Sequence, residues 1–66
     1  MSKLVIYREG TKSEMKDKYP SADVYLNVKR RSFDDIQGMR FTEIVVCEGC
    51  TTLDELSAKK FLIEGE

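Results

Sequence analysis

Leu4-Val5-Ile6-Tyr7-Arg8-Glu9-Gly10-Thr11-Lys12-Ser13-Glu14-Met15 decides how this chain folds. Four strand-forming apolar residues run without a break, which is the pattern of a strand covered on both faces. Gly10 closes the run. Thr11 then offers a helix cap, with Glu14 three positions on to complete a capping box. A strand followed at once by a capped helix is the first half of a β-α-β unit, so a parallel sheet is expected.

The rest of the chain repeats that alternation. Strand one spans Lys3 to Tyr7, and the helix spans Lys12 to Lys18 with Met15 and Tyr19 on one face and Pro20 as its stop. A second strand is expected over Asp23 to Val28. There Val24, Leu26 and Val28 alternate with Tyr25 and Asn27, the signature of a half-buried strand. Ser32 caps a short helical turn from Phe33 to Gln37, which Gly38 terminates in a left-handed conformation. The third strand, Phe41 to Cys47, contains Ile44-Val45-Val46 and is expected to be covered on both faces. Thr52-Leu53-Asp54-Glu55 reads as a second capping box that starts a helix to about Lys60, burying Leu53 and Leu56.

Residues 1–66 are thus expected to form a single small α/β domain. Its three-stranded, mostly parallel sheet has the connectivity βαβαβα and the order 2-1-3, with right-handed crossovers. In that order strand one is central and the very apolar strand three lies at an edge. Such an edge is usually covered. Phe61-Leu62-Ile63 reads either as the end of the last helix or as a short strand. As a strand it is the chain's own candidate for that cover, a fourth, antiparallel edge strand near residues 61–64. A partner chain is the alternative.

Size and composition bound the function. A 66-residue chain buries only about 60% of its unfolded surface and has little room for a deep pocket. The 11 basic and 12 acidic residues nearly cancel, so any attraction to nucleic acid or membrane must come from a local patch. No apolar stretch approaches membrane-spanning length, and the apolar run after Met1-Ser2-Lys3 is shorter than a signal-peptide core. Two cysteines do not make a secreted disulfide framework. A cytoplasmic protein without membrane contact and without a cofactor is the expectation.

Three groups of residues carry candidate chemistry. Parallel sheets bind ligands beyond the carboxyl ends of their strands, and Arg8 to Ser13, Lys29-Arg30-Arg31 and Cys47 to Thr52 collect there. Cys47-Glu48-Gly49-Cys50 is a C-x-x-C motif between a strand and a helix start, where free amides favour a thiolate. It resembles the placement of the motif in thioredoxin-like proteins, although here the only proline, Pro20, precedes strand two. Thiol redox chemistry, or a metal shared between chains, is one reading of Cys47 and Cys50. The chain has no histidine to complete a metal set alone or to act as a general base.

Gly10-Thr11-Lys12-Ser13 resembles the end of a phosphate-binding loop. Gly38 through Glu48 resembles the glycine-led strand that carries the acidic metal-binding residue of P-loop ATPase and terminase cores. The chain lacks the G-x-x-x-x-G-K spacing, and Cys47 stands where that family's aspartate would be. The resemblance therefore implies a strand–helix arrangement and no ATPase activity. Lys12, Lys29, Arg30 and Arg31 form the basis of a nucleic-acid or phosphate-binding reading.

The leading expectation is a small non-enzymatic binding or regulatory module. It would act on a protein partner, or on a second copy, through the third-strand edge. Phe41 and Glu43 would face outward there, with Arg40 at the rim. Stand-alone chains of this size include phage and mobile-element inhibitors of host proteins, and that is one form the expectation takes.

Overall fold

The computed structural model describes residues 2–63. Three strands and two helices follow one another along the chain: β1 (Lys3–Tyr7), α1 (Lys12–Lys18), β2 (Val24–Asn27), β3 (Glu43–Val46) and α2 (Thr52–Lys59). A 3₁₀ turn over Phe33–Ile36 stands between β2 and β3. The sheet is entirely parallel with the order β2-β1-β3. This is the expected α/β domain with the expected strand order. Among the described residues, no helix is long and apolar enough to cross a membrane.

The register explains the core. Val24, Leu4 and Ile44 lie side by side across the sheet, as do Tyr25, Val5 and Val45, and then Leu26, Ile6 and Val46. Because side chains alternate along a strand, these rows point to opposite faces. Leu4 and Ile6 join Leu26, Ile36, Phe41, Ala58 and Phe61 on the face that α2 and the 3₁₀ turn cover. Val5 and Tyr7 join Met15 of α1 on the other, flanked by Tyr19, Tyr25 and Val45. Leu4, Val5 and Ile6 are fully buried. Phe33 stacks on Phe61 with ring centroids 5.9 Å apart.

The caps follow the sequence closely at α1. The Thr11 hydroxyl accepts from the Glu14 N–H at 3.2 Å, and the Glu14 carboxylate accepts from the Thr11 N–H at 2.7 Å. Gly38 ends the 3₁₀ turn at φ +88°, the left-handed conformation its position called for. The turn itself is one residue shorter than expected, since Gln37 is already extended at ψ 133°.

Four expectations are corrected. The tail pairs with the chain, but in parallel and through one bridge, Phe41 with Leu62. Phe41 N–H donates to the Phe61 C=O at 2.8 Å, and Ile63 N–H donates to the Phe41 C=O at 2.7 Å. The reason is topological. Helix α2 carries the chain back to the amino-terminal end of the sheet, so the next segment must run in the direction of β3. Position 64 of the expected fourth strand lies outside the described residues.

Second, β3 is shorter than Phe41 to Cys47 and only half covered. Thr42 and Glu43 N–H both point at the Ser2 C=O, at 2.9 and 3.2 Å. This doubling interrupts the ladder between Phe41 and Glu43. Ile44 and Val45 are half-buried, and Val46 is exposed. Third, Leu53 and Leu56 are not buried: they are 73% and 53% exposed, and α2 instead turns Asp54 and Ala58 inward. Fourth, the cap of α2 is Thr51 with Asp54, one residue before the expected pair. The third and fourth corrections have one cause, the claim that Arg8 makes on Asp54, described below.

The contrast between Ile6 and Leu53 is measurable. Ile6→Val should lower stability by about 0.5–1.5 kcal/mol, whereas Leu53→Ala should change it by less than about 0.5 kcal/mol. Urea unfolding followed by circular dichroism separates the two. The reverse order would place Leu53 in the core.

Candidate functional site

The carboxyl ends of β1 and β3 meet the start of α2, and the polar groups there engage one another. Arg8, the first residue past β1, donates from Nε to Asp54 Oδ2 at 2.6 Å and from Nη2 to Oδ1 at 3.1 Å. Asp54 is itself the reciprocal partner of the Thr51 cap. Its Oδ2 accepts from the Thr51 N–H at 2.9 Å, and its own N–H donates to the Thr51 hydroxyl at 3.1 Å. The side chain retains only a tenth of its exposure. A fork-shaped guanidinium and a helix start both favour the carboxylate form. The Arg8 hydrogen bonds, followed by the Thr51 backbone, hold Asp54 below the ordinary carboxylate range.

This clasp was not read from the sequence. In the sequence Asp54 reads as an interior member of a capping box, and Arg8 as a residue at the carboxyl end of a strand. An acidic residue at the third position of a helix, with an arginine at the end of an apolar strand, is the signal that was present. It fixes which threonine caps. Once Asp54 faces Arg8, the helix rotation that would bury Leu53 and Leu56 is lost.

The two cysteines straddle the sheet. Cys47 packs with the cluster on the α1 side, and its thiol meets Met15 Sδ at 3.7 Å. Cys50 packs with the opposite cluster, and its thiol meets the Ile6 C=O at 3.7 Å. Cys50 N–H donates to the Cys47 C=O at 3.3 Å, closing the turn between them. Burial pushes both thiols up. A hydrogen bond from Tyr19 and the charge of Lys18 counter this at Cys47. The Asp54 and Cys47 charges add to the rise at Cys50, and Arg8 opposes it. The direction is opposite to the thiolate stabilisation expected from the helix start, whose cap amides are taken by Thr51 and Asp54. Among the described residues, no three His, Cys, Asp or Glu side chains stand together as a metal set.

The other sequence candidates are dispersed. Phe41, expected to face outward, is 1% exposed and sits in the core, because its backbone is turned to the tail and its ring to the α2 side. Arg40 is exposed and donates to the Met39 C=O. Glu43 is exposed and lies 3.9 Å from Lys3 Nζ. Lys29, Arg30 and Arg31 form an exposed turn whose N–H groups return to the Asn27 side chain and C=O. Arg31 also approaches Asp35 at 3.6 Å. Lys12 lines a different place, an open groove of ≈ 740 Å³ beside β2, together with Lys16, Asp23 and Tyr25. The loop resembling a phosphate cradle spends its Thr11 amide on the cap of α1.

Compared with protein-family models, with curated proteins and with solved structures, the chain shows no match to any of them.

Two measurements follow from this geometry. A carboxylate whose folded pKa is lowered contributes stability that is fully present above the unfolded value, about 3.9, and is lost as pH falls through the folded value. Asp54→Asn should therefore be less stable than the parent chain at pH 6, and the difference should shrink towards pH 3 in urea titrations at each pH. Thr51→Ala should cost about 1 kcal/mol at pH 7. For the thiols, native Cys47 and Cys50 should alkylate with iodoacetamide more slowly at pH 8 than the same residues in urea. Faster native alkylation of either would revive the redox reading.

Proposed function

We propose that this chain is a non-enzymatic binding module that takes an extended segment of a protein partner onto an open edge of its sheet. The observation that carries this reading is the outer edge of β2. Val28 N–H bonds the Tyr7 C=O at 2.9 Å. Alternation along the parallel ladder then turns the backbone of Val24 and Leu26 towards β1 and that of Tyr25 and Asn27 outward. Among the described residues, no strand lies beyond β2. The Tyr25 N–H and C=O and the Asn27 N–H therefore form a short template for strand addition.

This moves the expected interface from one edge to the other. The foot of the β3 edge is occupied by the chain's own Phe61–Ile63 segment, and Phe41 is spent on the core. The polar groups at the carboxyl ends support a surface role in a different way: Arg8, Thr51 and Asp54 satisfy one another.

Linear peptides selected from a random display library against the folded protein test the reading. Bound peptides should slow hydrogen exchange at the Tyr25 and Asn27 amides and leave the already buried Val5 and Ile6 amides unchanged. Selected peptides whose chemical-shift changes avoid β2 would overturn the proposal. So would Tyr25 and Asn27 amides that exchange as slowly as Val5 in the isolated monomer.

A further inference from the structure

The groove beside that edge carries a charge pattern. Lys12 and Lys16 are both exposed, both line the groove, and neither takes part in any of the ion pairs formed among the described residues. Four positions apart on α1, they lie on one face of the helix, about 6 Å apart along its axis. Residues two apart on an extended strand share a face and are separated by about 6.8 Å. The two repeats match. Helix α1 runs back along the sheet between the end of β1 and the start of β2. A strand added outside β2 would therefore present every second side chain to the α1 side, where Lys12 and Lys16 stand.

We infer that the partner segment is acidic at alternate positions, with two carboxylates at i and i+2 facing Lys12 and Lys16. This inference rests on strand addition at β2 and specifies its partner. One charge at the groove has the opposite sign. Asp23 stands at the start of β2, and its Oδ2 accepts from the Lys3 N–H at 2.9 Å. The partner residue beside Asp23 is therefore uncharged, and the acidic pair lies towards the carboxyl end of β2. On its other face the added strand meets the side of the sheet that carries Val24, Leu26 and the partly buried Phe33, so the intervening positions are apolar. A second copy of the same edge is disfavoured, because edge-to-edge pairing would bring two lysine pairs together.

The probes are an acetylated, amidated hexapeptide of sequence Thr-Glu-Val-Glu-Val-Thr and its counterpart with glutamine at both glutamate positions. They are titrated into the isotopically labelled full chain at ~50 mM salt, where surface charges are least screened. The glutamate peptide should bind roughly 3- to 10-fold more tightly than the glutamine peptide, with shifts centred on Tyr25 and Asn27. The preference should shrink in ~0.5 M salt and vanish in the double variant Lys12→Gln, Lys16→Gln. Both sites are exposed, so this variant should keep its fold, and its unfolding midpoint confirms that it does. Equal binding of the two peptides, or no binding of the glutamate peptide at millimolar concentration, overturns the acidic pattern. Display-selected peptides that still map to Tyr25 and Asn27 would then leave strand addition standing without it. Concentration-dependent dimerisation lost in the double variant would identify a second copy as the occupant and also overturn the inference.

Discussion

Everything in this domain hangs on the burial of β1 from both sides. A chain of 66 residues cannot build two independent cores, since the fraction of surface it can hide is too small. It instead uses one strand twice. Leu4 and Ile6 serve the cluster under α2, and Val5 and Tyr7 serve the cluster under α1. A strand buried on both faces must also be hydrogen-bonded on both edges, because its backbone has no water to turn to. That requirement places β2 and β3 on either side of it and leads directly to the order 2-1-3. The parallel sense follows from the two connections: α1 returns the chain from the end of β1 to the start of β2, and the segment through the Phe33–Ile36 turn returns it from the end of β2 to the start of β3.

The Arg8–Asp54 clasp is the second constraint, and it acts on orientation more than on composition. It ties the exit of β1 to the start of α2, so the last helix is positioned by a polar contact at its first turn and by Ala58 further along. The consequence is a helix with two leucines in solvent. Amphipathic packing by Leu53 and Leu56 and the clasp by Asp54 need different rotations of the same eight-residue helix. A bidentate, charge-assisted pair at a helix start outweighs the partial burial that two leucines at the rim of a thin core could gain.

These two constraints separate what could be read from the chain from what could not. Leu4-Val5-Ile6-Tyr7, Thr11 with Glu14, and the alternation from Val24 to Val28 are local signals, and each reports its own element. The strand order follows from comparing them. What failed needed information from distant residues. Phe41 has the look of a strand residue on an exposed edge, but its burial depends on Phe61 arriving 20 positions later. The cap at Thr51 instead of Thr52 depends on Arg8, more than forty residues earlier. The two cysteines read as a pair by spacing. They fall on opposite faces because Cys47 continues β3 on the α1 side while the turn carries Cys50 to the other. The groove at Lys12 and Lys16 is not legible in the chain, because a helix spacing acquires meaning only beside a strand edge.

A small parallel sheet cannot close on itself, so its two edges are where a fold like this meets its surroundings. The edges are treated differently here. At the foot of β3 the chain supplies its own strand segment, Phe61–Ile63, a cover that is apolar and intramolecular. Beside β2 it supplies charge, from Lys12 and Lys16 of α1. Lysines along an open edge are a common guard against indiscriminate pairing, since a like-charged edge is repelled and an apolar strand must desolvate them. The same placement selects in the opposite direction. In the proposed complex, a strand with carboxylates at matching spacing would neutralise the lysines while its backbone satisfied the outward groups of Tyr25 and Asn27. On this proposal protection and recognition would be two consequences of one arrangement, with the sign of the partner's charge deciding between them.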